Sequence, residues 1–259
     1  MTYETLLVEM GADYVATITL NRPNQLNTFT TPLAEELSRA LKTLDADPAV
    51  RVVIIKGAGK HFCAGIDVGE LDGKSPMELQ AWIQRMETPL VTISEMKKPV
   101  IAQVHGVAAA NGAGLVAACD LAIAAETARL GLTAINVGLN CVGPVIPVSK
   151  SVGRKTALEM LLYGELMDAR EAQARGLINR VVPAEDLDRA AHDWAAVLAQ
   201  KSPIAVQIAK RGFYVAADME YHKAFEYMNE VFARLCTTED AKEGVKAFME
   251  KRTPVWRER

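Results

Sequence analysis

Apolar positions in the first half of the chain switch repeatedly between two spacings. A continuous run at Tyr14–Leu20, YVATITL, is followed by Leu33, Leu37, Leu41 and Leu44 at helical intervals, and then by a second run at Arg51–Gly57, RVVIIKG. A polar segment, a third run, VIAQV at Val100–Val104, and DLAIAA at Asp120–Ala125 continue the alternation. Short apolar runs interleaved with a three-to-four-residue period predict strands joined by helices, the βαβ rhythm of an α/β fold with a parallel sheet. Thr31 followed by Pro32 reads as the first helix start. The hydroxyl caps, the proline takes the first helical position, and Glu35 and Glu36 face the helix dipole in the opening turn.

From Lys150 onward the pattern is helical almost throughout, apart from a short NRVV strand after Gly176. No linker rich in Pro, Gly or Ser divides the chain, and there is no internal repeat or low-complexity tract, so the last third reads as a helical appendage. PIAVQIAK and the segment Tyr221–Cys236 carry much apolar surface for helices so late in the chain. That surface predicts packing against neighbouring subunits.

Composition narrows the class. With 259 residues, half of them hydrophobic, and a formal net charge of −3, the chain suffices for one large domain or one domain with an appendage. The near-neutral balance and scattered basic residues give no electrostatic case for nucleic acid. No run approaches the roughly 18 apolar residues of a membrane span, and MTYETLLVEM lacks the basic start and apolar core of a signal peptide, so a cytoplasmic location without membrane partners is expected. Cys63, Cys119, Cys141 and Cys236 show no CxxC pairing, and His61, His105, His192 and His222 no ligand spacing. Reduced thiols and no metal are the expectation.

The chemistry is concentrated in two loops. In KPVIAQVHGVAAANGAGLVAACD, Lys98–Asp120, a buried strand breaks into a small-residue loop that opens a helix. Ala108, Ala109, Ala110, Gly112, Ala113 and Gly114 let backbone approach a ligand, and the first turn of the helix leaves N–H donors unpaired. A second loop, HFCAGID at His61–Asp67, follows the strand candidate RVVIIKG. Two converging N–H groups would form an oxyanion hole. The same pattern also describes ordinary strand-turn-helix packing, in which Asn111 merely turns the chain.

Together with LNRPNQLNTFT at Leu20–Thr30, LTAINVGLNCVGP at Leu132–Pro144 and ARGLINRVVP at Ala174–Pro183, these loops resemble the crotonase family, also called the enoyl-CoA hydratase/isomerase superfamily, from about Thr5 to Trp256. VGLNC and the KRTPVW ending are similar to a subgroup named enoyl-CoA hydratase domain-containing proteins. The resemblance implies a spiral of ββα turns over residues 1–195, which binds an acyl-CoA thioester, and a helical oligomerisation region over residues 196–259. Trimers or dimers of trimers are implied, with no cofactor besides the coenzyme A of the substrate.

Matched residue by residue, the resemblance makes the backbone amides of Ile66 and Asn111 the donors to the thioester carbonyl. It puts the two hydratase glutamates at Gly114 and Ala134, where neither side chain can move a proton. Ordinary hydration is therefore doubtful, and glutamates returned to both positions are expected to raise it. Asn136, Asn140 and Cys141 stand where other branches place working groups. Asn140 would orient water or an acyl oxygen, and Cys141 would act as a nucleophile only with a stabilised thiolate, against the plainer reading of a buried packing thiol. Asp67 reads as a helix cap that can double as a base, Glu70 as solvated, and His61 and His105 as structural.

For coenzyme A, the resemblance implies contacts from the turn containing Arg22 and Leu26, from Ala64, Ile66 and Asp67, and from Phe248 and Lys251 to a neighbouring subunit's nucleotide. The segment Leu71–Ile93 would set acyl selectivity. Three readings follow: an enzyme of enolate-type chemistry such as hydration, isomerisation or thioester hydrolysis; a non-catalytic acyl-CoA-binding protein; and an assembly subunit for an active relative.

Overall fold

In the computed structural model, which describes residues 2–259, the alternation read from the sequence becomes a parallel sheet with helices on both faces. The first half runs β1 (Leu6–Met10), β2 (Val15–Leu20), α1 (Thr31–Ala46), β3 (Val52–Gly57), α2 (Pro76–Glu95), β4 (Val100–Val104), β5 (Val107–Ala109), α3 (Asn111–Ala118), β6 (Leu121–Ala125) and β7 (Arg129–Gly131). The second runs α4 (Val145–Val152), α5 (Arg154–Tyr163), β8 (Met167–Asp168), α6 (Ala169–Ala174), β9 (Arg180–Val182), α7 (Leu187–Ala199), α8 (Pro203–Ala216), α9 (Tyr221–Cys236) and α10 (Glu239–Met249). A six-stranded sheet has the order β1-β2-β3-β4-β6-β9, antiparallel only at β1 and β2. A smaller sheet, β5-β7-β8, stands beside it.

Parallel strands covered on both faces are apolar at nearly every position, as in β3 and β4, whereas β2, beside the antiparallel strand β1, alternates Ala16, Ile18 and Leu20 with Thr17 and Thr19. On β3, Val53 and Ile55 join the main core with Leu33, Leu37 and Leu41 of α1, while Val52 and Ile54 face the opposite way. There they meet Leu187, Ala191, Ala195 and Ala199 of α7. Three alanines at four-residue intervals give α7 one smooth stripe, which lets it lie close against the sheet. Position 195, the boundary read from the sequence, falls inside this helix.

The first helix begins one residue earlier than the Thr-Pro pair implies. Thr30, in extended conformation, is the cap and accepts from Leu33 N at 3.4 Å, so Pro32 is the second helical residue. Glu36 is also not an exposed dipole partner. Its buried carboxylate accepts from the amides of Glu4 and Thr5 and from the Thr5 hydroxyl at 2.6 Å, tying the approach to β1 onto α1. The short strands β5 and β7 lie in stretches too brief for a period to emerge.

The last helices attach through a buried charge cluster. Lys210 of α8 reaches Asp120 at 2.7 Å and the carbonyls of Ile93 and Lys98, while Asp120 also accepts from Val100 N and the Tyr214 hydroxyl. Among the described residues no helix is long and apolar enough to cross a membrane.

Candidate active site

The two loops singled out in the sequence lie side by side. Cys63 and Ala108 form a parallel bridge, with Cys63 N donating to Val107 O and Ala109 N to Cys63 O. Gly112 has no room for a side chain, because a Cβ there would run into the Cys63 carbonyl, and a Cβ on Gly65 would meet Ala110 Cβ at 3.0 Å. Small residues are therefore needed for the two loops to touch each other, a role beyond the approach to a ligand read from the sequence.

This contact orients two amides. Phe29 and Ile66 form a second parallel bridge in which Phe29 N donates to Gly65 O and Asp67 N to Phe29 O. Donors alternate along a strand, so Ile66 N points away from that pairing. Asn111 N opens α3, where intrahelical acceptors are lacking. Its aim is set by Ala110, held at φ 50 and ψ −116 between the bonds Ala110 N to Gly131 O and Gly114 N to Ala110 O. A non-glycine residue in this region stores about 1–3 kcal/mol of strain, tolerable only where both flanks are fixed.

Ile66 and Asn111 both border a cavity of about 580 Å³, within the size range of small-molecule sites. Its walls are Ala64 and Ile66 from the first loop, Ala110 and Asn111 from the second, Trp82, Ile83 and Glu87 from α2, and the turn from Thr133 to Pro144, which includes Ala134, Asn140 and Cys141. The lining is mainly apolar. Glu87 is its one carboxylate among the described residues. No hydrogen-bond or ion-pair partner for Glu87 is found among the described residues, and burial raises its pKa above the ordinary glutamate value. Gly143 makes room for it, since a Cβ at that position would overlap Glu87 Oε1.

The profile of the enoyl-CoA hydratase/isomerase family matches residues 11–259. The chain belongs to this family. It is 36% identical over 255 residues to a probable enoyl-CoA hydratase of Mycobacterium tuberculosis, covering 98% of each chain. It is 35% identical over 240 residues to the mitochondrial enoyl-CoA hydratase domain-containing protein 3 of Xenopus laevis, covering 92% of this chain and 82% of that one. A solved structure of enoyl-CoA hydratase from Mycobacterium smegmatis matches with a TM-score of 0.95 at 38% identity, covering 98% of this chain and 99% of the other.

In this member of the enoyl-CoA hydratase/isomerase family, the two positions expected for the hydratase glutamates have different surroundings. Ala134 borders the cavity, whereas Gly114 does not. A Cβ on Gly114 would lie 2.7 Å from Pro144 Cβ and 3.0 Å from Pro144 Cα. A glutamate at Gly114 would have to displace Pro144, which weighs against the expectation that glutamates at both positions raise hydration.

Asn140 and Cys141 both line the cavity, but Asn140 Oδ1 accepts from Cys141 N at 2.7 Å, and Cys141 as a residue is 2% exposed. Burial pushes the thiol pKa up despite the Ala134 amide working the other way, which opposes a nucleophilic thiolate and favours the packing role. Asn136 is engaged elsewhere, donating to Gly164 O.

Asp67 does cap a short helical turn, accepting from Gly69 N at 3.2 Å, and also pairs with Arg22 at 3.4 Å. Arg22 further donates to Thr28 O, so its charge is held within the turn. Leu26 is left-handed at φ 52, and its carbonyl takes the Ala64 amide at 3.0 Å, joining the Arg22 turn to the first loop. Glu70 is not solvated: it accepts from Trp82 Nε1 at 2.7 Å and from the amide and hydroxyl of Thr31. This bond fixes an α2 side chain that walls the cavity. His61 Nδ1 accepts from Val107 N, and His105 Nε2 bonds Gly59 O, both structural as expected. Phe248 and Lys251 are exposed at the end of α10 and do not border the cavity of their own chain.

Sequence reasoning passed over Glu87. The signal was present: Ile83, Glu87 and Leu90 stand at four- and three-residue intervals on one stripe of α2, so the helical period itself turns a carboxylate inward.

Proposed function

We propose that this protein is an acyl-CoA enzyme whose amides at Ile66 and Asn111 receive the thioester carbonyl and stabilise the enolate-like oxygen formed during reaction. What supports this reading is that Ile66 and Asn111, whose amides have no backbone acceptor among the described residues, both line one mainly apolar cavity. Each such donor is worth about 3 kcal/mol of transition-state stabilisation. Coenzyme A arrives as part of the substrate and no separate cofactor is involved. The active site is atypical, because Gly114 and Ala134 supply no acid or base.

The turn around Arg22 and Leu26, with Ala64 and Asp67, would receive the pantetheine and adenine portions. Phe248 and Lys251 would serve a neighbouring subunit in a trimer or dimer of trimers. Support for that assembly comes from exposed aromatic side chains on the last helices, Phe213 at 67%, Phe232 at 66% and Phe248 at 80%, which a lone chain would leave in water.

Calorimetric titration with crotonyl-CoA, a longer enoyl-CoA, benzoyl-CoA and free CoA, followed by mass spectrometry of each mixture, tests the function. Binding with an altered acyl product is the expected result. Binding with every ester recovered intact would replace it with a non-catalytic acyl-CoA-binding role, the reading favoured by Gly114 and Ala134, and absence of binding would overturn both.

A further inference from the structure

Three features set Glu87 apart from the other carboxylates of the molecule. Among the described residues it is the one carboxylate bordering the cavity that Ile66 and Asn111 share. It has no hydrogen-bond or ion-pair partner among the described residues, whereas Glu36, Glu70 and Asp120 are each held by several donors. Its Oε1 also lies where a Cβ at residue 143 would stand. Glu87 is half-buried, its partial desolvation disfavours the charged form, and no protein contact among the described residues accounts for its placement.

Its position is also coupled to the amides. Met86, the preceding residue, receives the Asn111 side-chain amide on its carbonyl at 3.5 Å, so α2 and the start of α3 are joined beside Glu87. Glu87 and Gly143 border this cavity and a second one of about 780 Å³ on the far side, forming part of the partition between them. Open space therefore adjoins this residue on the side of each cavity.

We propose that Glu87 is the proton-transfer carboxylate of this site, exchanging a proton with the carbon next to the carbonyl of a bound acyl-CoA. The assignment rests on the acyl-CoA reading above. The C–H bond adjacent to the carbonyl breaks, its proton passes to a Glu87 oxygen, and the electron pair moves onto the carbonyl oxygen facing the Ile66 and Asn111 amides. Return of the proton to the same carbon regenerates the ester. With a 3-enoyl thioester, return to the fourth carbon leaves the double bond between the second and third carbons. One carboxylate suffices for that shift, with no water, oxidant or second acid consumed. It therefore suits a cavity with a single carboxylate better than hydration does, which uses two.

The test measures deuterium entering butyryl-CoA in heavy water and conversion of 3-hexenoyl-CoA to its conjugated isomer, in the parent, Glu87→Gln and Glu87→Asp. Calorimetry with butyryl-CoA and a thermal melt are run on each. Because the amide has nearly the shape of the carboxylate, Glu87→Gln is expected to fold and bind as the parent does while both rates fall about 10²–10⁴-fold, with partial activity in Glu87→Asp. Exchange in Glu87→Gln equal to the parent's, or a parent that binds butyryl-CoA without exchanging it, would overturn the assignment and leave the acyl-CoA reading standing. A parent that binds no acyl-CoA would overturn both. If Glu87→Gln fails to fold, the ratio of exchange to binding in Glu87→Asp decides: an unchanged ratio counts against the assignment, and a reduced ratio supports it.

Discussion

Pro144 stands where a side chain at Gly114 would grow, 2.7 Å from the position of its Cβ. The turn from Thr133 to Pro144 is thereby seated directly on α3, and the same turn supplies Ala134, Asn140 and Cys141 to the cavity wall. Gly114→Ala puts two effects in opposition. Alanine favours the helix by roughly 0.8–1 kcal/mol over glycine, whereas overpacking a close contact costs about 1–3 kcal/mol. Backbone at Pro144 Cα limits relaxation, so the clash wins. Gly114→Ala is expected to lower the denaturant midpoint, and Gly114→Glu to fold poorly and gain no hydratase activity. A stable Gly114→Glu variant that hydrates crotonyl-CoA faster than the parent would show that the turn swings away from α3.

Asn111 allows the backbone amide to be separated from the side chain. Asn111→Ala keeps the N–H and loses only the long bond to Met86 O. Asn111→Pro removes the N–H at the first helical position and crowds Ala110, whose ψ of −116 a following proline disfavours. Turnover of any acyl-CoA substrate is expected to survive the alanine substitution and to fall about 10²–10³-fold with proline, with both variants melting cooperatively. Equal loss in the two variants would assign the effect to the side chain instead.

The readable parts of this chain were those in which one segment carries its own signal. The run at Val52–Gly57 is apolar on both faces through Ile55, that at Val15–Leu20 keeps Ala16, Ile18 and Leu20 on one face, and small residues such as Ala110 and Gly112 predicted a loop whose backbone comes close to a ligand. What escaped depended on partners distant in sequence. Pro144 excludes a side chain thirty positions away, and Glu70 looked solvated because nothing near it reveals the Trp82 indole twelve residues on. The cap at Thr30 rather than Thr31 reflects a different ambiguity: two adjacent hydroxyls before Pro32 offer the same chemistry, and only the extended backbone at Thr30 selects one.

The buried pair of Lys210 and Asp120 joins the last helices to the core. Their side chains are 6% and 14% exposed, and removing one partner leaves the other charge stranded in low dielectric. Lys210→Met is expected to cost about 3–5 kcal/mol in denaturant unfolding. The double variant Lys210→Met with Asp120→Asn should recover part of that loss, since the stranded charge is gone. A single-variant cost below about 1 kcal/mol, the range of exposed pairs, would mean that water reaches Asp120 from the adjoining cavity.

Glu87 predicts a stability signature independent of any substrate. Burial raises its folded-state pKa, and no neighbouring charge contributes to the shift, although Cys119, Asp120, Cys141, Lys150, Tyr214 and Asp218 border the two cavities it separates. A group with a raised folded pKa binds more protons in the fold than in the unfolded chain. Its contribution to stability is therefore complete below the ordinary glutamate value of about 4.3 and is lost as pH rises through the folded value. Glutamine does not titrate, so Glu87→Gln escapes that loss. The melting temperature of Glu87→Gln relative to the parent is expected to increase from acid to neutral pH and then level off. A difference that stays constant across this range would mean that Glu87 ionises in the fold as it does in the unfolded chain, and a difference that shrinks would mean that a cation stabilises it.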